Sequence, residues 1–281
     1  MDRFIGYAPE HICTLLESGS SGCVEMVNSR GIYLQFGCSH ILLCHSCFGV
    51  VPNGVAVDEW DRLHPLLSTG QPVQAEKLKI RFPSGELELE SIPKDARILC
   101  PEEKNLRAGI GILCAQAKET GLSSLVYPLF TGDTPKLNVY CQMALPYVQA
   151  LLQALREENA PGIYESASTL LGLGPGLTPS GDDLLSGLLY GLRHSGARDS
   201  LACTTLTNAI RALAKERTNA VSADYLLAIT EDAPFDRMAA AWADISVGAG
   251  ELMQIGSNSG CEMLLGLLCA GSVLSDQQKT R

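Results

Sequence analysis

The chain has 281 residues, 46% hydrophobic and 19% charged, an ordinary globular balance that excludes a disordered chain. A net charge of −10, with no long run of Lys or Arg, argues against a nucleic-acid partner. No stretch reaches the roughly 18 consecutive apolar residues of a membrane span.

The first half reads as β-rich. Val24–Val27, Ile32–Phe36 and His40–Cys44 are short apolar or alternating runs, punctuated by Gly22, Asn28-Ser29, Gly31 and Gly37. Pro52-Asn53-Gly54 is a turn signal. Val73–Phe82 and Glu86–Ile92 alternate around Pro83-Ser84-Gly85, which predicts a hairpin. Helices are expected over Glu102–Glu119, with Gly121 just beyond, and over Val139–Glu158. Composition then shifts at the polar segment Glu157–Gly162. Beyond it Ala, Leu and Gly recur at helical spacing in Glu165–Leu171, Asp182–His194, Leu201–Glu216, Ala220–Thr230, Phe235–Gln254 and Cys261–Leu274. The expected fold is α+β: a β-rich N-terminal domain over 1–158, then a compact all-helical domain over 159–281.

The most informative string runs from Gly172 to Gly187. Gly172, Gly174 and Gly176 alternate beside Pro175, which ends the preceding helix and leaves a loop able to approach a ligand. Thr178 and Ser180 then precede a strongly helical run. Ser180 is the expected N-cap and Asp183 the carboxylate of a capping box. A helix start with free N–H groups, glycines and hydroxyls suits an anion. The string lacks the Lys of a P-loop. Two carboxylates in the first turn, Asp182 and Asp183, offer a general base or a metal ligand, with Mg²⁺ the natural ion. Capping alone accounts for Ser180 and one Asp.

A second copy of the pattern follows. Ser259–Leu268 aligns without gaps on Ser180–Leu189, with six of ten positions identical and Glu262 opposite Asp183. Gly256, Ser257 and Asn258 supply small polar residues upstream, and Gly260 matches Gly181. Gly187 and Gly266 fall at the same helical position, so the two helices are expected to cross there with their N-termini converging on one anion. Thr218 and Ser222, four residues apart, share a helical face and are expected in the same pocket; Thr218 or Asn219 is the expected cap of that helix.

Gly174–Ser180 with Asp182-Asp183, then Thr218–Ser222 with Leu226, then Gly256–Gly260 with Gly266, together resemble the AllH-type family. That family is the small subunit of the oxamate carbamoyltransferase system of anaerobic allantoin degradation. The resemblance covers roughly Gly172–Gly271 and is loose over the first 155 residues. The family's string admits other residues at the position of Gly181, so no chemistry attaches to that glycine. The resemblance implies that carbamoyl-oxamate and phosphate yield oxamate and carbamoyl phosphate, which a separate kinase can use to make ATP. It implies FdrA-like and AllG-like partner subunits. From the residues themselves, Asp182 and Asp183 are the expected catalytic groups, with Gly174, Gly176, Thr178, Ser180, Thr218, Ser222, Ser257, Asn258, Ser259 and Gly260 expected around the anionic substrate. A non-catalytic assembly or anion-sensing subunit is the competing reading.

Other candidates are weaker. Eleven cysteines, an odd number mostly in apolar stretches, and an N-terminus without a signal-peptide layout fit reduced thiols in a cytosolic protein. Cys38, His40, Cys44, His45 and Cys47 could supply zinc ligands, yet the stretch also reads as a strand whose alternate residues face opposite sides. His194 lies about three turns from the loop, too far to share its pocket. Tyr127–Asp133 reads as an inter-domain loop.

Overall fold

The structure is a computed structural model and describes residues 2–17, 19–94 and 101–279. Cys100 therefore lies outside the described residues. Contacts divide the chain into two units, Met1–Asp95 with Glu231–Asp236, and Ala96–Thr230 with Arg237–Arg281.

The first unit is a closed eight-stranded barrel. Its strands are β1 (Asp2–Pro9), β2 (Ser20–Asn28), β3 (Gly31–Phe36), β4 (Ser39–His45), β5 (Gly54–Val57), β6 (Pro72–Glu76), β7 (Lys79–Phe82) and β8 (Gly85–Ile92). They follow the order β1-β5-β4-β3-β2-β6-β7-β8, and β8 closes on β1 in parallel with Phe4 opposite Leu87. Strand β8 shows why the sequence makes this shape: Gly85, Leu87 and Leu89 point inward while Glu86, Glu88 and Glu90 alternate outward. Phe4, Val24, Ile32, Leu34, Ile41, Leu43, Val55 and Ile80 complete the filled interior. Two helices, α1 (Glu10–Glu17) and α2 (Trp60–Leu63), belong to this unit. Asp236 joins it through an exchange with Val50: Val50 N–H donates to Asp236 Oδ2 at 2.8 Å, and Asp236 N–H donates to the Val50 carbonyl at 3.1 Å.

Two expectations need correction in this half, and one strand lies outside the expected β runs: Asp2–Pro9 closes the barrel. Val73–Phe82 is not one strand: Lys77 (φ 53°) and Leu78 (φ 60°) both turn left-handed, and β6 pairs with β7 across them. No Asn-Gly signals that turn. Tyr127–Thr131 is a turn of π-helix, with Tyr127 Oη donating to the Cys114 carbonyl at 2.7 Å.

Between residues 101 and 279 the regular elements are helical: α3 (Glu103–Gln116), α4 (Val139–Arg156), α5 (Ala160–Leu170), α6 (Ser180–Arg193), α7 (Leu201–Arg217), α8 (Ala220–Thr230), α9 (Asp236–Ala243), α10 (Ile245–Leu252) and α11 (Ser259–Lys279). The run Phe235–Gln254 is thus two helices, because Asp244 is an extended N-cap whose side chain accepts from Ser246 N–H. The composition shift near 158 does not separate the units: α3 and α4 both pack on α11. Helix α6 is buried along its whole length and α11 is its main partner. No helix among the described residues is long and apolar enough to cross a membrane.

Candidate functional site

Helices α6 and α11 cross where the sequence repeat placed them. A Cβ on Gly187 would overlap the Met263 carbonyl, and one on Gly266 would overlap the Leu184 carbonyl. Only glycine lets two backbones approach so closely. The helix starts are built alike. The N–H of Gly181 donates to Leu173 at 2.8 Å, and that of Gly260 to Ile255 at 3.0 Å. Gly174 (φ 113°) packs on Ser180 as Gly256 (φ 60°) packs on Ser259. The two starts converge: Thr178 Oγ1 lies 3.1 Å from Ser259 Oγ.

The convergence differs from the expected anion cradle in one respect. Pro179, not Ser180, is the N-cap of α6, and no side chain caps it. The Pro179 carbonyl accepts from Asp182 and Asp183 N–H, and the Asn258 carbonyl from Cys261 and Glu262 N–H. These first-turn donors are spent on backbone, so side chains, not free N–H groups, dominate the site.

Asp182 is a clasp. Its Oδ1 accepts Gly172 N–H at 2.8 Å, and its Oδ2 accepts Thr218 Oγ1 and, at 2.6 Å, Ser222 Oγ. That ties the glycine loop and the start of α8 to α6. Thr218 and Ser222 do share a pocket, but they fill it with Asp182. Asn219 is the residue that caps α8, accepting from Ser222 N–H at 3.1 Å. Asp183 is different: it is fully buried and neither carboxyl oxygen has a hydrogen-bond partner. The Thr178 and Ser259 hydroxyls lie beside it, 3.1 Å from each other, and both ease its carboxyl downward. Glu262, 1% exposed, faces Asp183 and accepts Leu122 N–H at 2.8 Å.

Residues 170–271 match the family model described as oxamate carbamoyltransferase subunit AllH. No curated protein and no solved structure matches the chain.

Electrostatics sets the three carboxyls of the matched segment apart. Burial, then the Glu262 charge, pushes Asp183 well above the usual carboxylate range. Burial also raises Glu262, opposed in turn by the Leu122 N–H, the Ser180 hydroxyl, Lys118 and the Asp183 carboxyl. Asp182 is raised by burial but eased by its Ser222, Thr218 and Gly172 donors. The Tyr225 phenol, buried near Asp183, is pushed up first by burial and then by the Asp183 charge.

Two parts of the site are not among the expected residues. The turn Lys118–Leu122 supplies the N–H that holds Glu262; Gly121 lies so close that a Cβ would overlap Glu262 Oε1, and Lys118 Nζ donates to the Ser257 carbonyl. Gly121 as a helix stop was the available signal, but its partner is 141 residues away. Tyr225 carries no motif. Of the expected residues, Gly176 and Ser257 are exposed, and Asn258 bonds Thr120. His194 ends α6, stacked on Tyr190 at 3.9 Å.

Among the described residues no three His, Cys, Asp or Glu side chains gather as a metal-holding group. In the Cys38–Cys47 stretch, Cys44 is buried while Cys38 and Cys47 are exposed, and His45 Nδ1 accepts Cys47 N–H.

Proposed function

We propose that this chain is a carbamoyltransferase subunit acting on carbamoyl-oxamate and phosphate, and that Asp183 and Glu262 move its protons. The reading is carried by the Asp183 carboxyl: buried, without a partner, and facing Glu262 where α6 and α11 begin. The AllH match over the same residues supports it.

In this reaction a phosphate oxygen attacks the ureido carbonyl carbon, a tetrahedral oxyanion forms, and the C–N bond to oxamate breaks. The phosphate hydroxyl loses a proton and the oxamate nitrogen gains one. Two buried carboxyls sharing one proton serve both transfers: the charged member accepts, the neutral member donates, and the pair returns to its starting state. The Thr178 and Ser259 hydroxyls are the donors nearest the oxyanion. Sharing a proton also lowers the negative charge that anionic substrates meet. Asp182 acts as a positioning residue through the loop 172–179, whose displacement admits substrate to Asp183. Mg²⁺ arriving with phosphate would be held by Asp183 and Glu262, and no step depends on it.

Turnover requires FdrA-like and AllG-like partners in the cytoplasm. The test is carbamoyl phosphate formation by the assembled complex. Asp183→Asn or Glu262→Gln should lower it at least about 100-fold while size-exclusion chromatography shows unchanged assembly. Undiminished turnover would sink the reading and leave a non-catalytic, assembly or anion-sensing subunit.

A further inference from the structure

The far end of α6 borders a cleft that the carboxyl pair does not use. Arg193 closes α6, Arg198 and Asp199 lie in the link to α7, and Thr207, Asn208 and Arg211 project from α7. The cleft encloses about 290 Å³. Three guanidinium groups against one carboxylate make its lining net positive, in a chain whose net charge is −10.

Two of the arginines are held in place. Arg193 is only 8% exposed, and its Nη1 donates to Thr207 Oγ1 at 3.4 Å. Arg211 donates from Nε to Thr230 Oγ1 and from Nη2 to the Thr230 carbonyl, both at 3.1 Å. Two bonds from one guanidinium fix its plane, so little side-chain entropy is lost when it grips an oxyanion through its fork. Helix-end electrostatics explains Arg193 at the C-terminus of α6, and Arg211 against the last carbonyl of α8. It does not explain why both line one cleft with Arg198, which stands in a link.

We propose that this cleft binds a small phosphate-class dianion, either inorganic phosphate or the phosphate of a monoester. The site is separate from the carboxyl pair: along α6, Asp183 and Arg193 are about 15 Å apart at 1.5 Å per residue. It holds whether or not the proposed reaction does.

The test is isothermal titration calorimetry of the full chain at constant ionic strength, with inorganic phosphate and with glycerol phosphate. Phosphate should bind saturably. Arg198→Ala should weaken binding about tenfold, and Arg198→Ala with Arg211→Gln should weaken it further. Tighter binding of glycerol phosphate assigns the site to monoesters; tighter inorganic phosphate assigns it to the free ion. No saturable binding, or binding indifferent to Arg198→Ala, would each overturn the proposal.

Discussion

Asp182 and Asp183 are neighbours in sequence and opposites in surroundings. Three donors converge on Asp182, while both oxygens of Asp183 are sealed without one. Asp182→Ala should therefore cost about 3 kcal/mol, because it orphans a part-buried N–H and two hydroxyls. Asp183→Asn should cost far less. Urea denaturation of both variants checks the order, and the reverse order would refute the clasp. The pH dependence follows from the raised Asp183 carboxyl. The native state keeps a proton that the unfolded chain, with its carboxyl near the ordinary value of 3.8, releases. The stability this contributes is complete below that value and is lost as pH rises through the raised native value. The thermal midpoint should thus fall as pH rises from about 4, and Asp183→Asn should flatten the fall. An unaltered slope in the variant would show that the carboxyl is not protonated in the native state.

Elements were legible where a period or a breaker is local. The crossing of α6 and α11 could be placed from two glycines at matched positions, because a bare backbone at equal distances from two similar helix starts permits one close approach. Gly187→Ala should cost about 3 kcal/mol through overlap with the Met263 carbonyl, read as a drop in thermal midpoint. Elements failed where a residue took an uncommon conformation without its usual sequence sign. Lys77 and Leu78 turn a hairpin that reads as unbroken strand, and Asp244 splits a run that reads as one helix.

The whole molecule holds two units, and the barrel keeps a core of its own. Leu87→Ala, deep in the barrel, should cost about 3 kcal/mol and leave the Asp183-dependent pH slope intact; a changed slope would couple the two cores. The compositional boundary near 158 missed this division, because composition records secondary structure while contacts decide which helices pack together. By itself the sequence determined that two like segments, each a glycine loop opening a helix with an acid in its first turn, would meet at a glycine crossing. Periodicity and residue size suffice for that. Only the tertiary structure decided which acid ties loops together and which pair is left to chemistry. The deciding bonds join Asp182 to Thr218 and Ser222, and Glu262 to Leu122, across 36, 40 and 140 residues. Burial and partners at that separation are properties of the packed chain, and they set the charge of each carboxyl.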